Sequence, residues 1–128
     1  MIKRQRLEEN AQILLFKTLR DYYPVIRSLT FAIPNGGYRT PSEAKRLQAS
    51  GVTPGVPDIF CAFAASGYHG LFIEMKKPLI KGQPKPVISP AQRKWILSLR
   101  EQGYMGEFCY GFDEALKCIL DYWNRGPW

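Results

Sequence analysis

Histidine is nearly missing from this sequence: His69 is the single one in 128 residues. That removes most zinc sites, and it removes every nucleophile that depends on an imidazole base. Set among small residues and glycines, His69 itself reads as part of a turn. Cysteine is scarce too, with Cys61, Cys109 and Cys118 forming an odd set that contains no CxxC pair. Each lies in an apolar stretch, so the three read as buried thiols in a reducing compartment. Long hydrophobic runs are absent. The longest, residues 13–16 and 59–65, fall far short of the roughly 20 residues a membrane span requires. Near the start, Glu8, Glu9, Asn10 and Gln12 break up any apolar signal core, and no small-residue cleavage site follows. The chain is therefore expected to act in the cytoplasm of the cell that makes it, or of the host cell if a phage encodes it. Hydrophobic residues at 45% and charged residues at 23% exclude disordered and collagen-like classes, and the length suits one domain spanning 1–128.

Acid is in short supply relative to base: 11 Asp and Glu stand against 18 Lys and Arg, a net charge of +7. The excess is local. Residues 76–94 carry Lys76, Lys77, Lys81, Lys85, Arg93 and Lys94 without an acid, and Lys3, Arg4 and Arg6 precede the first one. Two basic clusters on a small domain point to a phosphate backbone as partner. Any hydrolysis must then rest on carboxylates, lysine and oxygen-loving metal ions.

Periodicity outlines a mixed fold. Leu7, Ala11, Leu14, Leu15 and Leu19 predict a helix over 5–21 whose apolar stripe faces a sheet, stopped by Tyr23-Pro24. Residues 29–33 read as a short strand entering a Pro34-Asn35-Gly36-Gly37 turn. Thr40 and Pro41 open a short, polar helix that runs through Leu47 and is ended by Gly51. A loop stiffened by Pro54 and Pro57 leads to a strand at 58–63, which pairs antiparallel with a second at 71–76 across a turn marked by Ser66, Gly67 and Gly70. Residues 77–88, with Pro78, Gly82, Pro84 and Pro86 among lysines, suggest a mobile loop that packs against nothing. Ser89 and Pro90 start a helix through Trp95, Ile96 and Leu99 to Gly103; a strand at 105–110 and a helix at 113–123 follow. The aromatics Trp95, Tyr104, Phe108, Tyr110, Tyr122 and Trp123 read as mostly core. The class is α/β, a mixed sheet flanked by helices.

Three polar residues stand out against the apolar hairpin. Asp58 opens its first strand, and Glu74 and Lys76 close its second on one face, because side chains alternate along a strand. Pairing across the turn brings Asp58 and Glu74 to the same end, near enough to share a divalent cation. Two carboxylates that close repel each other unless a cation lies between them, which favours Mg²⁺ or Mn²⁺. Lys76 beside them can orient the attacking water and offset charge on phosphoryl oxygens. Taken alone, a Glu-x-Lys pair is an ordinary exposed strand end; a proline-glycine loop delivering an acid opposite it is much rarer.

The run Gly55-Val56-Pro57-Asp58, with Phe72-Ile73-Glu74-Met75-Lys76, resembles the PD-(D/E)xK nuclease signature, and more narrowly the stand-alone VRR-NUC domains of phages and bacteria. The Asn35-Gly36-Gly37 turn, Ser89-Pro90-Ala91-Gln92 with Trp95, and Gly103-Tyr104 with Asp113-Glu114-Ala115 are similar to further elements of that family, so the likeness covers about residues 7–123. It implies a restriction-endonuclease-like fold and a metal-dependent DNA endonuclease. Glu8, four residues before Gln12, matches the family's acid on the first helix, with Glu9 as substitute should the helix phase differ. The resemblance further implies that Glu8, Asp58, Glu74 and the Met75 carbonyl bind the metal. Gln92 would sit beside Lys76 and help place the water. Gln12, the Asn35-Gly36-Gly37 turn, Lys77, Lys81, Lys85, Arg93 and Lys94 would hold nucleic acid. A four-way (Holliday) junction cut by a homodimer is the implied substrate. A nuclease for flaps, nicks or plain duplex, and a non-catalytic nucleic-acid-binding module, stay open beside it. Histidine-metal nucleases lack their ligands here, and an RNase-H-like centre lacks acids in strand 29–33.

Overall fold

The computed structural model describes residues 2–34 and 40–126, with side chains from residue 6 onward. Asn35, Gly36 and Gly37 lie outside the described residues, as do the side chains of Lys3 and Arg4. The elements run α1 (Ile2–Tyr22), α2 (Pro24–Ser28), β1 (Thr30–Ala32), α3 (Pro41–Ala49), β2 (Ile59–Cys61), β3 (Leu71–Lys76), α4 (Pro90–Glu101), β4 (Met105–Tyr110) and α5 (Phe112–Trp123). The strands form one mixed sheet in the order β1-β2-β3-β4. β1 pairs antiparallel with β2, and β2 with β3. β4 lies parallel to β3, a pairing that needs a crossover, which α4 supplies. This is the α/β arrangement that the sequence pattern predicts.

The core lies on one face of the sheet. Leu71, Ile73 and Met75 of β3 are buried there against Ala11, Leu15 and Leu19 of α1 and Ala115, Ile119 and Tyr122 of α5. Alternation then sends Phe72, Glu74 and Lys76 to the opposite face. α4 packs on that second face, close enough that a Cβ at Gly106, the partner of Phe72, would lie 3.3 Å from Ile96 Cδ1. Tyr122 ties α5 down by donating its hydroxyl proton to the Phe63 carbonyl at 2.7 Å. The short helices start where the sequence says they should. Thr40 Oγ1 accepts from Glu43 N with Pro41 behind it, and Ser89 does the same for Gln92 with Pro90 behind it.

Several expectations need correction. Pro24 stops α1 but also starts α2, since a proline in the first helical turn gives up no hydrogen bond that the helix would make. The first two strands are only three residues long, shorter than 29–33 and 58–63. The buried row of α1 is Ala11, Leu15 and Leu19; Leu7 is exposed at its start, and Leu14, about 100° round the axis from Leu15, stays 46% exposed. Cys61 and Cys109 are buried, and burial pushes the Cys61 thiol up to about 12, but Cys118 is only half-buried. A hydrogen bond between the Cys109 and Cys118 thiols raises the first and lowers the second. Of the aromatics read as core, only Tyr122 is fully buried, and Trp123 is exposed. The others are half-buried, and Tyr104 belongs to a ring cluster on the second face. In it Phe60 stacks on Phe72 at 4.3 Å, and Tyr104 meets Phe72 edge-on at 5.3 Å. His69 is an exposed bend residue whose ring meets Tyr104 edge-on.

Candidate active site

Asp58 enters the site from a loop with little freedom. Pro57 is buried, and Gly55 has φ +87°, a region that favours glycine. A Cβ on Gly55 would lie 2.8 Å from the carbonyl carbon and the Cβ of Ala91 in α4, so loop and helix touch backbone to backbone. Gly55→Ala is therefore expected to cost about 2–4 kcal/mol, through φ strain and a clash with helix backbone. Gly51 offers the control in thermal denaturation: its φ is +108° but no atom lies within 4 Å of its Cβ position, so Gly51→Ala carries the strain alone.

The register places the two acids together. Ile59 pairs with Ile73, and one further step sets Asp58 against Glu74. Asp58 Oδ2 accepts a hydrogen bond from the Met75 backbone N–H at 2.8 Å, fixing the carboxylate at the end of β3. Glu74 is 5% exposed, and its carboxyl is pushed up to about 10. Desolvation is the main cause, followed by a hydrogen bond with Asp58 and the charge of Asp58; Lys76 pulls the other way, and the charge of Glu8 adds a last increment upward.

Lys76 is 6% exposed and held at two points. Its Nζ donates to the Val87 carbonyl at 3.0 Å and to Gln92 Oε1 at 2.8 Å. The same Oε1 accepts from Ser89 N at 3.0 Å, while Ser89 Oγ accepts from Gln92 N at 3.1 Å. Gln92 thus closes the capping box of α4 and orients the lysine with a single oxygen. The Ser-x-x-Gln spacing was a readable signal for this double role; the part of the Val87 carbonyl carries no sequence signal at all. Because Val87 is engaged, Pro86 is buried and Pro78 packs against Gly111, segment 77–88 is anchored at both ends, contrary to the expectation that it packs against nothing.

The remaining predicted residues surround this centre at varying distance. Glu8 is half-buried on α1 and its charge is felt by Glu74, while Glu9 is exposed. Among the described residues, no three His, Cys, Asp or Glu side chains gather closely enough to hold a metal ion. The fold thus brings Asp58 and Glu74 into contact, and the charge of Glu8 reaches Glu74. Gln12 and Lys77 are half-buried, and Lys81, Lys85, Arg93 and Lys94 are exposed, with Lys85 Nζ lying 5.2 Å from the Tyr110 ring centre. The donor set suits a hard cation. Two carboxyls share a hydrogen bond where a divalent ion could replace the proton, and the backbone N–H of Met75 holds Asp58 in place beside them.

Comparison with known proteins agrees with this fold. The family profile described as VRR-NUC domain matches residues 8–113. A solved structure titled VRR_NUC domain protein superposes with a TM-score of 0.74 at 25% identity, covering 93% of this chain and 89% of that one. No curated protein matches the chain.

Proposed function

Because the chain belongs to the VRR-NUC domain family, whose fold serves nuclease action on DNA, we propose that it is a metal-dependent endodeoxyribonuclease that cuts branched DNA, four-way junctions foremost, as a homodimer. The observation that carries this reading is the carboxyl pair Asp58–Glu74 beside the doubly anchored Lys76. Asp58, Glu74 and the Met75 carbonyl would hold Mg²⁺ or Mn²⁺, with Glu8 completing the set from α1. Such an ion supplies positive charge that polarises the scissile phosphate. Lys76, with two of its three N–H groups held by Gln92 and Val87, keeps one for the attacking water and offsets charge growing on the phosphoryl oxygens. Gln92 holds that lysine in place through a helix cap, so its position does not depend on substrate. Lys77, Lys81, Lys85, Arg93 and Lys94, with Gln12, Asn35, Gly36 and Gly37, bind the backbone. Contacts of this kind position DNA without reading its sequence, so branch geometry must supply selectivity. A domain of 14.7 kDa spans little of a junction, which favours two copies acting on opposite strands.

The test is incubation with a synthetic four-way junction and a linear duplex of matched sequence, in Mg²⁺, in Mn²⁺ and with chelator, alongside sedimentation to fix the oligomeric state. Paired, symmetric nicks in the junction, dependent on metal, are expected. Random degradation of linear DNA would favour the general nuclease. Binding without cutting in either metal would leave a non-catalytic module.

A further inference from the structure

Leu79 and Ile80 are the least explained side chains near the site. They stand 51% and 46% exposed on a segment whose neighbours 81–85 are all exposed as well. The segment is built to project. Gln83 N donates to the Ile80 carbonyl at 3.0 Å, and Gly82 has φ +82°, a four-residue turn with glycine where the type II form needs a positive φ. Its base is fixed by Pro78 against Gly111, by buried Pro86, by Lys85 over the Tyr110 ring and by the bond from Lys76 to Val87. The result is a finger anchored at its base that carries an aliphatic pair where its turn begins, flanked by Lys77, Lys81 and Lys85, with no acid between Glu74 and Glu101.

We infer that this finger is a wedge: Leu79 and Ile80 insert between bases at a point where DNA stacking is already interrupted, while the flanking lysines bind the adjoining phosphates. The inference rests on the proposed action on DNA and names what makes branched DNA the preferred substrate. Apolar side chains driven between base steps are a known way of holding kinked duplex, at an unstacking cost of a few kcal/mol per step. At a branch point that cost is already met. A second copy of this chain is the poorer occupant, because across a two-fold axis the finger would meet its own three lysines with no acid to face them. The finger springs from Lys76 and returns at Val87, both in the candidate centre, so an inserted tip lies within a few nucleotides of the bond to be cut.

The experiment places 2-aminopurine next to the branch of a four-way junction and titrates in wild type and the double variant Leu79→Ala/Ile80→Ala without metal. Fluorescence reports unstacking, and anisotropy reports binding. Wild type is expected to raise fluorescence on binding, and the double variant to lose more than half of that rise at saturation. With metal, the ratio of junction to linear cleavage is expected to fall about tenfold in the variant. An equal rise and an unchanged ratio in both proteins would overturn the wedge while leaving the nuclease reading intact. A rise that the variant loses, without cleavage by wild type in Mg²⁺ or Mn²⁺, would support the wedge and sink the nuclease instead. Dissociation of a wild-type dimer by the double substitution would overturn the inference by assigning the tip to a subunit contact.

Discussion

Glu74→Gln is expected to lower DNA cleavage by about two to three orders of magnitude or more while leaving DNA affinity in metal-free buffer unchanged. The reasoning starts from the state of the carboxyl. With its pKa pushed up to about 10, Glu74 is neutral at pH 7 when no cation is present. Glutamine reproduces that neutral form in shape and hydrogen-bonding capacity, so the phosphate-binding surface sees no change in charge. What glutamine cannot do is ionise, and the proposed cation then loses one of its two contiguous anionic ligands. Glu74→Ala should lose cleavage equally. Where a divalent ion is present, wild type gains its two positive charges at the phosphate site, so either variant, which holds the ion less well, should bind DNA no more tightly than wild type. Fluorescence anisotropy at fixed salt, with and without Mg²⁺, measures this beside a gel assay of nicking. Loss of metal-free binding together with cutting would contradict the assignment and give Glu74 a structural role.

The parts of this site that were legible in the sequence are those governed by local rules. The turn length between 59–61 and 71–73 sets the register, and the register sets Asp58 against Glu74. Alternation puts Glu74 and Lys76 on one face. Ser89-Pro90 marks the start of α4, which brings Gln92 within one turn of the loop end. What was not legible depends on contacts between distant segments. Nothing local to Val87 indicates that its carbonyl accepts from Lys76, and the need for glycine at 55 comes from the backbone of Ala91 in another element. Helical spacing indicated that Leu7, Ala11, Leu14, Leu15 and Leu19 share a stripe, but how far the sheet extends beneath α1 decides which of them are covered. The same limit applies to Glu8. Periodicity assigns it a helix face, whereas its separation from Asp58 and Glu74 is set by how α1 crosses the sheet.

Stability of the metal-free protein should fall as pH rises, and the Glu74 carboxyl should account for the largest single part of that fall. The sign follows from linkage. Glu74 titrates at about 10 in the folded chain against the 4.5 of an ordinary glutamate, so between those values the folded state holds a proton that the unfolded state releases. The corresponding stability is complete below about pH 4.5 and is lost progressively as pH rises toward 10. Thermal denaturation with chelator is expected to show wild type melting lower at pH 8.5 than at pH 6. Glu74→Gln, which has no proton to lose, should melt above wild type by at least about 5 °C at the higher pH, a shift that roughly 1 kcal/mol produces in a domain of this size. The two curves should converge on the acid side, where wild type carries the same neutral group. A divalent ion should act in the opposite sense, because it favours the charged carboxyl that burial disfavours. Saturating Mg²⁺ or Mn²⁺ at about a hundred times its dissociation constant adds near 2.7 kcal/mol to wild type. At one fixed concentration it should add more at pH 8.5 than at pH 6, where protons compete more strongly for the carboxyl. Glu74→Gln, short of one ligand, should gain much less at either pH. Wild type and Glu74→Gln melting in parallel across the whole range would show that Glu74 titrates normally in the fold.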